Sequence, residues 1–281
     1  MQKSSYKQSH EADRDNIIFF MRYVDFLLDV RKNKDKAQEC YDLILKNKGK
    51  NASYLNQYAM FLENIFKDYV KAEEYYQRAL EVEPDDKALR AAILCNYAML
   101  LEAPENSRGN SVKANEYYLQ ALKVEPNNAT CLHCYAIFLE NIRKDYDKAE
   151  ECYKRALKVE PNNATCLHCY AIFLYTIRKD YDKAEECYKR ALEIEPKNAV
   201  RHSYAVFLCT IRKDYDKAEE YYQRALEIDP DDIVGLCRYT IFLYCVRNDS
   251  VTAEEYYART RQAVKPEVNH STKSGYPVVS S

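Results

Sequence analysis

Apolar residues recur along this chain at helical spacing, in pairs of segments joined by short polar turns. Leu132, Tyr135, Ala136 and Leu139 stand at i, i+3, i+4 and i+7, the signature of one helix face. A second stripe follows at Ala149, Tyr153, Ala156 and Leu157, with Lys148, Glu150, Glu151 and Arg155 around the rest of the helix. Asp145 stands where an N-cap is needed and Pro161 stops the second helix; Asp180 and Pro196 repeat the arrangement. No segment shows the alternation of a half-buried strand. The pattern predicts pairs of helices throughout.

The pairs repeat. Residues 121–157 and 156–192 are near copies at an offset of 35, differing only at Glu140/Tyr175 and Asn141/Thr176. A period of that size predicts a stacked helical array. With this segment as a ruler, one core tyrosine recurs at Tyr23, Tyr58, Tyr97, Tyr135, Tyr170, Tyr204 and Tyr239, and a second at Tyr41, Tyr76, Tyr118, Tyr153, Tyr188, Tyr222 and Tyr257. The register gives seven repeats, at 17–51, 52–86, 87–128, 129–163, 164–198, 199–232 and 233–267. Segments 1–16 and 268–281 are expected to be mobile tails. The third repeat is stretched, with a long loop around Pro104 and Gly109.

Composition narrows the function classes. Four glycines in 281 residues leave no glycine-rich phosphate loop and few tight hairpins. The chain has 27 tyrosines and no tryptophan, as expected of a residue copied by template. A net charge of −2 offers no basic face, so no nucleic-acid partner is expected. No run approaches the ~18 apolar residues of a membrane span. The first residues are polar, and the 11 cysteines are an odd number. Free thiols in a reducing compartment and a cytoplasmic location are therefore expected.

The repeat resembles the tetratricopeptide repeat (TPR), a helix–turn–helix of 34 residues. The family's small residue in the first helix matches Ala136 and Ala171. Its second-helix pattern matches Ala149, Tyr153 and Ala156, and its terminal proline matches Pro161. The turn Ile142-Arg143-Lys144-Asp145 holds one extra residue, and tyrosine replaces the usual leucine at Tyr135. The resemblance implies an all-α fold, a right-handed α-solenoid of about seven TPR units, whose atypical ends act as caps. It also implies a concave groove lined by the first helices that takes a protein or peptide. Mapped onto this chain, the candidate groove residues are Asn64, Asn96, His133, Glu140, Asn141, His168, Tyr175, Thr176, His202 and Tyr244. Both differences between the near copies fall among them.

Other chemistry is weaker. Cys131, His133 and Cys134 have a superficial zinc-ligand spacing, but all lie inside one helix, so no metal and no cofactor is expected. The family's chaperone-carboxylate clamp needs Asn where Met60, Ile137 and Ile172 stand, and Lys where Asn56, His133 and His168 stand. Asn51, Asn128 and Asn163 head glycosylation sequons that read better as the polar turns entering helices. Arg143-Lys144, Arg178-Lys179 and Arg212-Lys213 line one edge, as solubilising charge or as a basic ridge. No catalytic constellation emerges. The reading is a non-enzymatic interaction scaffold, monomeric or weakly self-associating. A self-assembling array and an RNA-binding helical repeat are the alternatives.

Overall fold

A computed structural model describes residues 20, 22–24, 26–28, 31–48, 51–82, 86–103, 106 and 110–264. Among them all regular structure is helical. It falls into two compact bodies, Met1–Pro161 and Asn162–Ser281. The division lies between the fourth and fifth repeats. The expected tails, 1–16 and 268–281, lie outside the described residues, as does most of the long loop of the third repeat.

In the first body, residues 20, 22–24 and 26–28 are helical and are followed by α1 (Lys34–Lys48), α2 (Ala52–Phe61), α3 (Tyr69–Glu81), α4 (Lys87–Glu102), α5 (Ser111–Val124), α6 (Ala129–Phe138) and α7 (Tyr146–Val159). The second body holds α8 (Ala164–Phe173), α9 (Tyr181–Ile194), α10 (Asn198–Phe207), α11 (Tyr215–Ile228), α12 (Ile233–Phe242) and α13 (Ser250–Val264). Within each body, first and second helices pack as antiparallel pairs and each pair stacks on the next, the arrangement of an α-solenoid.

Local chemistry accounts for the helix ends. Asn51 accepts from the Ser53 and Tyr54 amides, Asn128 from Cys131 and Asn163 from Cys166. The sequons are thus N-caps. Asp68, Asp145, Asp180 and Asp214 cap the second helices in the same way. Lys197 precedes α10 without a side-chain cap.

The extra residue of each turn has a specific home. Five first helices widen into a π turn: Leu62–Phe66, Leu139–Arg143, Leu174–Arg178, Leu208–Arg212 and Leu243–Arg247. Each π turn ends on a left-handed residue, Lys67, Lys144, Lys179, Lys213 or Asn248, at φ between 55° and 59°. In the fourth repeat, the amides of Lys144 and Asp145 both donate to the Leu139 carbonyl, the latter at 3.0 Å, and close the helix end. Glycine usually fills such a position; here lysine does, which is one reason the chain needs so few glycines.

Alanines let the paired helices approach. Ala72, Ala79, Ala114, Ala136, Ala171, Ala184 and Ala218 are all fully buried. The two tyrosine positions are core in the inner repeats, but the register overstates them at the ends. Tyr23 is 50% exposed, while its neighbour Val24 is buried, and Tyr257 is 57% exposed. Tyr23 belongs to the first described repeat and Tyr257 to the last.

Left-handed lysine carries a steric cost of about 1–2 kcal/mol that glycine avoids. Lys179→Gly is expected to stabilise the chain by roughly 0.5–1 kcal/mol, glycine's greater freedom in the unfolded chain offsetting part of the gain. Lys179→Val should destabilise it by at least as much. Urea unfolding of the two variants measures both, and the reverse order would contradict the turn geometry.

Candidate functional site

Two tyrosine-based bonds set the environment of the first-helix face. First-helix tyrosines reach back to the preceding second helix. Tyr97 donates to Glu73 and accepts from Gln77, both at 2.8 Å. Tyr135 donates to Asn115 at 3.0 Å, and Tyr239 to Glu219 at 3.0 Å. Second-helix tyrosines turn inward within their own repeat. Tyr76 donates to Glu63 and Tyr153 to Glu140, each at 2.9 Å. In the third repeat Tyr118 faces Glu102 in the same way, but Glu102 Oε2 and Tyr118 Oη are buried without a hydrogen-bond partner. Burial raises all three glutamates above the usual carboxylate range, and Glu102 is pushed up to about 7.

These bonds change the standing of several predicted groove residues. Glu140 is not a free ligand group, because its carboxylate is spent on Tyr153 of its own repeat. Asn96 is spent between first helices, its amide 3.2 Å from Asn56 Oδ1 and 3.4 Å from Met60 Sδ. Thr176 is exposed, with its hydroxyl turned back to the Ile172 carbonyl at 2.7 Å. His202 leaves the surface altogether at 1% exposure. A carboxylate can only accept, so His202 Nε2 carries the proton donated to Asp232 at 2.8 Å. Gly235 makes room for this pair, since a Cβ there would stand 2.6 Å from the imidazole ring.

The others keep access to solvent. Asn64 and Asn141 are exposed on their π turns. His133 and His168 are half-buried, with rings 6.2 and 6.1 Å from Tyr153 and Tyr188. Burial pushes both imidazoles down toward neutrality, and His133 Nδ1 and His168 Nε2 have no hydrogen-bond partner. Tyr175 stands edge-on to Phe207 at 5.7 Å, its hydroxyl 3.3 Å from Thr210 Oγ1. Where Glu140 is turned inward within its repeat, the corresponding Tyr175 reaches across to the next. Ile241 and Tyr244 are 62% and 64% exposed.

Two arginines of the basic edge are engaged. Arg212 bridges Asp182 at 2.6 Å and Glu185 at 2.7 Å; Arg247 does the same to Asp216 and Glu219. Both guanidiniums also lie 5.6 Å from the phenylalanine ring of their own repeat. These two arginines tie the sixth repeat to the fifth and the seventh to the sixth.

Two features escaped the sequence. Cys95, Cys131 and Cys134 interact as a cluster near Glu102, the first two buried and Cys134 half-buried. Among the described residues no group of three or more His, Cys, Asp or Glu side chains could hold a metal ion. Arg238 occupies the slot that holds Asn96, Cys134, Cys169 and Ser203 in earlier repeats. A single basic residue in that row was the available signal.

Family models match as TmcB, TPR repeats, at residues 100–158 and 146–201, as tetratricopeptide repeat at 208–232, and as Sel1 repeat at 26–44 and 54–81. A solved tetratricopeptide repeat protein from Parabacteroides merdae superposes with a TM-score of 0.57 at 21% identity, over 76% of this chain and 80% of that one. The chain is a tetratricopeptide-repeat protein. The TPR chain is also similar in fold to PilF of Pseudomonas aeruginosa, with a TM-score of 0.52 at 22% identity, covering 63% of this chain and 79% of that one. IFIT1, solved with m7Gppp-AAAA, gives a TM-score of 0.66 at 18% identity over 82% of this chain, which spans 55% of IFIT1. No curated protein matches the sequence. Among the described residues, no helix is long and apolar enough to cross a membrane.

The glutamate environment sets a pH dependence. Between about pH 4.5 and 7 the folded chain keeps a proton on Glu102 that the unfolded chain has released, so stability falls as pH rises through that window. Glu102→Gln should flatten this decline and exceed the wild type in stability at pH 8. Urea unfolding across the pH series measures it, and an unchanged slope would mean that Glu102 ionises normally in the fold.

Proposed function

We propose that this TPR protein is a non-enzymatic scaffold whose first-helix face holds a peptide segment of a protein partner. The observation that carries the reading is the first-helix face of repeats five to seven, which the described residues leave exposed. Ile241 and Tyr244 present apolar surface to solvent there, and the preceding repeats add the half-buried His168 and the Tyr175–Thr210 hydroxyl pair. Exposed apolar side chains rimmed by a few polar groups are the composition of an interaction surface. The sequon asparagines, the inner glutamates and the bridging arginines already have structural work, which leaves this face for recognition.

RNA binding is the second reading, because IFIT1 is solved with a capped tetranucleotide. The near-neutral chain and the engaged arginines speak against it. A salt titration of RNA retention on filters separates the two, and light scattering over a concentration series checks for a self-assembling array.

Joint replacement of Tyr175, Tyr244 and His168 by alanine is expected to abolish partner capture in affinity pulldown. All three are at least partly exposed, so the helical circular dichroism should be kept. Capture equal to that of the wild type by a folded triple variant would sink the proposal.

A further inference from the structure

Among the described residues of the second body, Arg238 is a half-buried cation with no hydrogen-bond or carboxylate partner. Arg201 donates to Asn198 and the Pro196 carbonyl, Arg259 to the Pro230 carbonyl, and Arg212 and Arg247 hold carboxylates. Arg238, on α12 just before the core Tyr239, makes no hydrogen bond or ion pair with any described residue. Its charge acts instead on groups of the two preceding repeats. It holds His168 further toward neutrality after burial has done most of the work, and it also acts on Tyr188, His202 and Tyr222. The guanidinium therefore stands within electrostatic reach of aromatic and imidazole groups of the fifth and sixth repeats. A guanidinium that has lost part of its hydration and gained no counter-charge is costly, and an incoming anion relieves that cost.

The surroundings select the kind of anion. Ile241 lies three residues on, on the same side of α12 as Arg238, and is 62% exposed. The corresponding positions in the earlier repeats of this body are Cys169 and Ser203, so the cation stands alone in its row. One guanidinium flanked by apolar surface suits one carboxylate with apolar neighbours. A nucleic-acid backbone needs a succession of cations.

We infer that Arg238 anchors one acidic side chain, Asp or Glu, within the bound peptide, whose neighbouring apolar residues sit on Ile241 and Tyr244. The inference rests on the peptide-binding reading above and names the ligand chemistry of that face. The carboxylate would accept a forked pair of bonds from the guanidinium, a geometry that the point charge of lysine reproduces only in part.

The test uses the full chain on a positional-scanning array of short peptides, amidated at the C-terminus so that every carboxylate present is a side chain. The wild type should prefer Asp or Glu at one position by about tenfold, the size of a charge-assisted hydrogen bond. R238Q should lose that preference while still holding the apolar positions, and R238K should keep part of it. Thermal melting verifies that both variants fold. Peptides retained with no acidic preference, or with a preference unchanged in R238Q, would overturn the inference and leave peptide binding standing. No retention of any peptide would overturn both. A capped RNA oligonucleotide whose retention alone depends on Arg238 would show that the ligand class is wrong.

Discussion

The hydroxyl of the first-helix tyrosine, reaching back to the second helix before it, is the constraint on which the rest of the architecture depends. A repeat of two short helices cannot bury its own apolar faces, so its stability comes largely from its neighbours. Packing alone tolerates small slips of one pair over the next. A directional bond from Tyr97 to Glu73, from Tyr135 to Asn115 or from Tyr239 to Glu219 fixes the register. The requirement explains the tyrosine count: leucine would fill the same core space without reporting the position of the neighbouring repeat. Arg212 and Arg247 reinforce the same interface from the turn, through the very acids or neighbours of the acids that the tyrosines use, as at Glu219.

The same constraint limits what is left for function. Side chains spent on bonds within a repeat or between repeats cannot also hold a partner. Glu140 and Asn96 look like groove residues by position but serve the framework. The near copies then take on a different meaning. Exchanging Glu140 for Tyr175 does more than alter a surface, because it replaces a bond within one repeat by a contact with the next, at Phe207 and Thr210. The face beyond it, around His168, Arg238, Ile241 and Tyr244, has fewer structural duties.

Much of the fold was legible because its causes are local. The positions of Ala149, Tyr153 and Pro161 define a helix and its end, and Asn128 and Asp145 announce their caps through side-chain chemistry. The π turns were not legible: Arg143-Lys144-Asp145 reveals an extra residue, but the left-handed lysine that absorbs it belongs to the backbone. The candidate face was legible only in outline. Which polar side chains on a helix are already satisfied depends on residues 13 to 30 positions away, as at Tyr153 and Glu140 or Asp232 and His202. His202 looks like one more groove histidine until Gly235, by lacking a side chain, lets its ring sink into the core.

The coupling between repeats can be measured directly. Asn115 and Tyr135 form an isolated pair at 3.0 Å across the third and fourth repeats, suited to a double-mutant cycle with Tyr135→Phe and Asn115→Ala under urea unfolding. A register-setting hydrogen bond predicts a favourable coupling of about 0.5–1.5 kcal/mol. Strict additivity of the two substitutions would mean that the tyrosine hydroxyls do not link the repeats, and would contradict the account.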